Sequence, residues 1–441
     1  MLKTTKSRKI IVIILGIVVF LLAIICIMLL VNLNKVNSVN NKYKSELKEN
    51  NIVYGISIVD QIYIYGTHMN IYGKISDFYD IEEMSMVLYD ESVAKTYNLE
   101  YEYIDDVVSY HLSDNINGGI DLEDIDIGNY RVLIKVKSNG KTYYYSLYNK
   151  TTYNFMDYYT ITRNNKNKHI TIESTLTNIK VNVKKCKLPN DVYDITIDAG
   201  HGGDDSGAIK NDVYESYINL EVALKVKEYL ENLGLKVILT RDGNYNPGNI
   251  PGISAYGKGG RISIGYESKS KFFISIHSNN LPLNPSTNGV EIYTSDNNSK
   301  ELAKIFADNI VKEVGINYST KKYQKVDNGV YVRNFTTSEI NDLKKEFSKK
   351  GYKMYETITT KTQYYYVIRE TGGIITGSYV DGRNKSYAAN DYMNSNVGLD
   401  GYLIEMGYMT NSNDLKLLLN KKDEYAKAIS NSIKEYLNIT N

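Results

Sequence analysis

At Pro189 the hydrophobic pattern of this chain changes period, and the change separates two kinds of fold. From Asn51 to Lys185 apolar residues alternate with polar ones or come in short runs: "IVYGISIVDQIYIYG", "MNIYGKI", "MSMVLYD", "YRVLIKVKSNGKTYYYSLYN", "HITIEST", "IKVNVKK". Successive strand residues point to opposite faces, so this period belongs to half-buried strands. "KSNGKT" sets an Asn-Gly pair between strand-like flanks, a hairpin signal. The pattern predicts an all-β, antiparallel sandwich-like stalk domain over residues 51–187, of roughly immunoglobulin-like size. His68, His111 and His169 fall here with no acidic or cysteine partner at ligand spacing, and read as surface or packing residues.

Beyond Pro189 strand-like and helix-like segments alternate. "DVYDITIDAG" is a strand ending in glycine, and "ESYINLEVALKVKEYLENLG" puts Ile218, Val222, Val226, Tyr229 and Leu233 on one helical face before Gly234 stops it. "LKVILTRD", "KFFISIHSNN", "GVEIYTS" and "GYLIEMGYMTN" read as further strands, and "SKELAKIFADNIVKEVG" and "DEYAKAISNSIKEYL" as helices. The run "KFFISI" suits a strand buried on both faces. Such alternation predicts an α/β domain over residues 190–441 with a mainly parallel, helix-covered sheet. The 42 tyrosines read mostly as strand and core residues.

The chain begins differently. Ile10 to Val31 holds no charged or strongly polar residue, and as a helix its 22 residues span about 33 Å, enough for a bilayer core. Lys3, Lys6, Arg8 and Lys9 precede it, which predicts a cytoplasmic tail over 1–9, a single transmembrane anchor over 10–33 and everything later outside the cell membrane. No small-residue cleavage site follows, so a retained anchor is favoured over a signal peptide. Residues 34–50 read as a polar linker. A formal net charge of +1 argues against nucleic acid as a partner, and two distant cysteines argue against a disulfide framework.

Ligands of open α/β sheets bind beyond the carboxyl ends of the strands. His201 follows the first strand of this domain, His277 ends the "FFISIH" strand, Glu405 ends the last, and Glu215 opens the first helix. Each alone is unremarkable: a strand-end histidine is usually surface, and a first-turn glutamate favours the helix dipole. Together His201, Glu215 and His277 form a His₂Glu set, which suits a catalytic zinc with an open fourth position, and Glu405 is left to handle protons.

These segments resemble the zinc-dependent N-acetylmuramoyl-L-alanine amidases of the amidase-3 family. "IDAGHGGDDSGA" is similar to the family's first metal motif, with Ala199 where proline is common; "YESYINLEVALKVKEYL", "LTRD", "FISIHSN" and "LIEMGYMTNSNDLKLL" are similar to later blocks, so that the likeness runs over residues 192–438. The resemblance implies Zn²⁺ held by His201, Glu215 and His277, with Glu405 as general base and then acid. It implies hydrolysis of the amide between N-acetylmuramic acid and L-alanine in peptidoglycan, the work of an autolysin, with Asn279, Arg369 and Arg261 touching substrate. The sequence also departs from the family. "GGRISIGYESKSKFF" keeps only Arg261 of the pairs usual there, and residues 316–400 form a long insertion in which Arg333 or, better, Arg369 in "YYYVIRET" stands for an arginine-bearing strand. A catalytically silent wall-binding protein and a zinc peptidase of stem peptides are the alternatives, and a regulatory protein partner is left unidentified.

Overall fold

The computed structural model describes residues 22–24, 27–28 and 52–440, except 66–67, 77–79, 91–93, 115–118, 149–152, 163–165, 175–177, 248–259, 297, 350–358 and 372–398. The expected tail, anchor and linker therefore lie outside the described residues, apart from Leu22–Ile24, Ile27 and Met28, which are helical. Among the described residues no helix is long and apolar enough to cross a membrane.

The first half is all β, as its period demands. Its hairpin turns at Asn139 and Gly140, with φ of 50° and 69°, and pairs Ser138 with Lys141. The expected pair of separate antiparallel sheets is corrected in two respects. All twelve described strands join one hydrogen-bonded network, because Gly128–Ser138 pairs with Ile179–Lys185 near its start, with Ile81–Tyr89 along the rest, and with Lys141–Tyr148 as well. Ile52–Tyr65 also runs parallel to Lys141–Tyr148. The forked sheet encloses a main core that includes Met69, Met86, Val108, Val132, Ile134 and Val181, and Val87, Leu133 and Tyr144 form a smaller one. His169 stacks on Tyr159 at 4.2 Å, a packing role. His111 stacks on Tyr72 at 5.4 Å, also a packing role, but it does have acidic neighbours: Asp114 lies 2.9 Å and Glu100 3.5 Å from its Nε2, both well exposed.

The second half is built on a seven-stranded sheet. Its elements are β1 (Ile195–Ala199), α1 (Glu215–Asn232), β2 (Val237–Leu239), α2 (Arg261–Glu267), β3 (Phe272–Asn279), β4 (Glu291–Thr294) and α3 (Lys300–Val314). They continue with β5 (Lys325–Asp327), β6 (Val330–Tyr331), α4 (Thr337–Lys349), α5 (Tyr366–Thr371), β7 (Asp400–Tyr408), α6 (Ser412–Asn420) and α7 (Lys422–Tyr436). The strand order is β2-β1-β3-β7-β4-β6-β5. The expected parallel pairing holds from β2 to β7, but β4 runs antiparallel to β7 and β5 antiparallel to β6, so the sheet is mixed.

Alternation along the strands gives the sheet two different faces. Ile195, Ile197, Phe272, Ile274, Ile276, Tyr402 and Ile404 share one apolar core with Val222 and Val226 of α1, Phe306 of α3 and Ile429 of α7. Of the helical face expected for α1, Ile218, Val222 and Val226 are buried, while Tyr229 and Leu233 only flank the core. Asp198, Ser275, His277 and Glu405 occupy the intervening positions and face the other side, where α2 and α5 pack through Ile262, Val367 and Ile368. The apolar face holds the sheet rigid, and the polar face is free to carry chemistry.

The two halves meet at the amino ends of β3 and β7. Lys271, 3% exposed, forms an ion pair with Glu123 of the all-β half, and the Lys269 ammonium sits 5.6 Å from the Tyr159 ring. Burial works against the Lys271 charge, but Glu123 and Asp400 outweigh it and hold its pKa above the usual lysine value. Replacing one member of such a pair strands the other without its counter-charge. Lys271→Ala is expected to lower unfolding stability by about 3 kcal/mol, measured by chemical denaturation.

Candidate active site

The turn after β1 is shaped by close contacts. A Cβ on Gly200 would lie 2.3 Å from His277 Nε2, so only glycine leaves room for that imidazole. Gly207, at φ +64°, has the same part on the other side: its Cβ would fall 2.6 Å from His201 Cδ2 and 2.7 Å from Glu215 Oε2. His201 itself adopts φ 62°, a conformation that L residues keep only when their surroundings impose it.

Two buried guanidiniums impose it. Arg241 donates from Nε to Ala199 O (2.8 Å) and from Nη2 to Gly200 O (2.9 Å) and Ser216 O (2.7 Å). Arg261 donates from Nη1 to Ala199 O and Asp198 Oδ1, both at 2.7 Å, and from Nη2 to His201 O at 2.5 Å. Asp198 is itself held by Thr240 and Ser275, each at 2.6 Å. The expectation that Arg261 touches substrate is thus corrected: it is 3% exposed and clasps the turn from beneath. Arg241 was legible only as part of "LTRD", with no sign of its task.

Above this turn the ligand set converges. His201 Nε2 lies 3.1 Å, and His277 Nδ1 3.2 Å, from Glu215 Oε1, and the two rings stand 4.8 Å apart at 77°. One ligand atom from each of the three residues falls within 4.8 Å of the others. Asp205 Oδ2 is 2.8 Å from His201 Nδ1, so a proton on Nδ1 is donated to Asp205 and Nε2 keeps its lone pair for the centre. Glu215 also accepts from the Ala208 and Ser278 amides (2.9 and 3.0 Å) and from Asn219 Nδ2 (3.2 Å). A carboxylate and two imidazoles, with His201 backed by Asp205 and Glu215 by amide donors, fit a zinc ion.

The members of the set shift one another's proton affinity. Burial raises the Glu215 pKa, but His201 and His277 outweigh it and hold the carboxyl far below its usual range. Burial pulls His201 down, yet Asp205 and Glu215 push it up to about 10. Desolvation takes His277 below the usual histidine value. Glu405, opposite His277 in the β3–β7 register, is 8% exposed, and its Oε2 has no hydrogen-bond partner among the described residues. Burial, then Glu215 and Glu291, raise its pKa well above the ordinary carboxylate value.

His201, Glu215, His277 and Glu405 are therefore brought together, while the other expected site residues take different places. Asn279 donates its Nδ2 to Glu291 Oε2 (3.1 Å), and its Oδ1 accepts from the Asn280 amide (2.9 Å). Arg369 lies on helix α5 and not on a strand, 7% exposed, with Nη1 donating to the Gln363 and Tyr364 carbonyls at 3.0 Å each. Arg333 is held between the rings of Tyr323 (5.0 Å) and Tyr364 (4.2 Å). Asp205, Asp198 and Glu291 were not singled out from sequence, although "VEIY" already sets a carboxylate inside an apolar run.

A mixed α/β sheet thus carries His201, Glu215, His277 and a buried glutamate at one end of its strands, a donor set suited to hold a metal ion. Residues 195–435 match the family described as N-acetylmuramoyl-L-alanine amidase (Amidase_3), and the chain belongs to that family. It is 30% identical over 155 residues to the germination-specific N-acetylmuramoyl-L-alanine amidase of Bacillus subtilis, covering 34% of this chain and 64% of that one. It is 31% identical over 117 residues to the N-acetylmuramoyl-L-alanine amidase AmiA of Escherichia coli, covering 26% and 37%. The chain thus spans less than two thirds of the length of these curated relatives. Among solved structures it is similar to the amidase AmiC2 of Nostoc punctiforme, with TM-score 0.37, 22% identity, 57% of this chain and 99% of that chain covered.

Two outcomes test the site. Gly200→Ala, by driving a methyl into the His277 ring, is expected to abolish stoichiometric zinc in the purified protein, measured by elemental analysis. A ligating His201 must give up the proton that its pKa of about 10 retains at neutral pH. Titration of chelator-stripped protein with zinc at pH 8 is expected to release about one proton from His201, read by calorimetry in buffers of different ionisation enthalpy. In the stripped protein, the stability that this raised pKa contributes is complete below about pH 6.5 and is lost as pH rises through about 10.

Proposed function

We propose that this chain is a membrane-anchored peptidoglycan hydrolase that cleaves the amide bond between N-acetylmuramic acid and L-alanine. The observation that carries the reading is the convergence of His201, Glu215 and His277 beside a buried Glu405 whose Oε2 has no hydrogen-bond partner among the described residues. Family membership supports the bond type. His201, Glu215 and His277 would hold the zinc ion, which would supply Lewis acidity toward a carbonyl oxygen and a water.

The protein's own groups do the rest. Glu405 takes a proton from the attacking water and returns it to the departing amide nitrogen, and its raised proton affinity suits both roles. The C–N bond breaks, the muramic lactyl group leaves as a carboxylic acid, and the stem peptide leaves with a free L-alanine amine. Asp205 fixes the His201 ring, and Arg241 and Arg261 fix the turn, so the set is preorganised before substrate arrives. Ile10–Val31 anchors the chain, and the all-β half serves as a spacer that sets the catalytic half on the outer side of the membrane, where the polymer lies.

The purified chain, loaded with zinc, is expected to release intact stem peptides from peptidoglycan, identified by mass spectrometry, and to lose this with chelator. Glu405→Gln is expected to lower kcat by about 10²–10⁴-fold while retaining zinc. Cleavage within the stem peptide would identify a zinc peptidase instead, and wall binding without turnover by zinc-loaded protein would identify a silent wall-binding protein.

A further inference from the structure

Beside the proposed site lies a carboxylate that the mechanism does not use. Glu291 opens β4, faces Glu405 across the antiparallel β4–β7 pair, and is 0% exposed. Its Oε1 accepts from Tyr408 OH (2.5 Å) and Ser319 Oγ (2.6 Å). Its Oε2 accepts from Tyr293 OH (2.5 Å) and Asn279 Nδ2 (3.1 Å), and Lys321 Nζ stands 3.6 Å away. Four donors occupy the four lone-pair sites of a carboxylate, so Glu291 has none left for a proton shuttle or a metal ion.

The donors come from places that regular pairing does not hold together. His277 is paired with Glu405, but the next paired residues are Asn279 and Tyr408, so β7 carries one residue more than β3 between them. A bulge of this kind disrupts the ladder and re-aims the side chains beside it. Asn279 and Tyr408 are the first paired residues beyond the bulge, and both reach Glu291. Ser319 and Lys321, from the chain after α3, close the other side.

Resting on the amidase reading for its chemistry, we propose that Glu291 is a positioning residue for the reaction: its carboxylate ties the ends of β3, β4 and β7 together past the bulge and so keeps Glu405 opposite His277. Saturated hydrogen bonding makes it a fixed post rather than a reactant. Its neighbour Glu405 has an oxygen without a partner among the described residues and is correspondingly dependent on the backbone for its aim. Small misplacement of a reacting group is expensive: about 1 Å costs about 10²-fold in rate.

Glu291→Gln keeps the side-chain volume but brings amide protons against hydrogen-bond donors. It is expected to lower kcat about 100-fold, with KM and zinc content changed no more than about twofold. Tyr408→Phe, which removes one donor at nearly constant volume, is expected to lower kcat by a smaller factor and to add little on top of Glu291→Gln, because both act through one link. Independently of turnover, hydrogen exchange of the amides over residues 403–409 is expected to quicken in both variants. Inactivity of the unsubstituted, zinc-loaded chain would overturn the amidase reading while exchange still decides the role of Glu291. Unchanged exchange in a folded variant, unchanged kcat in an active one, or a loss confined to KM or zinc content would overturn the positioning role. If Glu291→Gln does not fold, Tyr408→Phe alone decides by the same measures.

Discussion

The Glu215 carboxylate is where sheet, helix and turn are joined. It lies at the first residue of α1, yet it receives imidazoles from the turn after β1 and from β3, and amides from Ala208 and Ser278. Burying an anion this completely is costly, and the partners that offset the cost are the groups suited to bind a metal. Stability of the local fold and readiness of the site therefore depend on the same contacts.

The supports around that point are arranged by charge. Asp198 and Arg261 form a buried ion pair under the turn, and Arg241 adds a second buried cation whose charge is directed to backbone carbonyls. Such carbonyls, at the end of a strand where the ladder stops, need donors when water is excluded. Guanidiniums supply several donors in a fixed plane, which a lysine does not. The left-handed His201 is held by this plane of hydrogen bonds rather than by its own preference.

Much of the site was legible because its members sit where a strand or helix pattern ends. His201, Glu215, His277 and Glu405 each interrupt an apolar period at a place where α/β sheets expose side chains, and the structure gathers all four. The residues that hold them were not legible in the same way. Arg261 and Arg369 look like substrate cations in a linear reading, since nothing in the sequence tells that carbonyls await them. Glu291 pairs with a strand more than a hundred residues away, and Arg369, which a linear reading places on a strand, lies in a helix with its guanidinium taken by the Gln363 and Tyr364 carbonyls and set over the distant Phe335 ring. The all-β half shows the same limit: its strands follow from period, whereas its forked pairing depends on how the long strand Gly128–Ser138 is shared.

The ion pair of Lys271 with Glu123 has a geometric consequence. Lys271 stands immediately before β3, and His277 lies near the other end of the same strand, roughly 20 Å along it at about 3.3 Å per residue. Asp400 and Glu405 repeat the arrangement on β7. The all-β half thus grips the sheet by the end opposite the one that bears His277 and Glu405, like a handle fixed to the blunt side of a blade. Among the described contacts the all-β half holds the sheet where β3 and β7 begin, so a pull on the handle is delivered lengthwise through the two strands that bear His277 and Glu405.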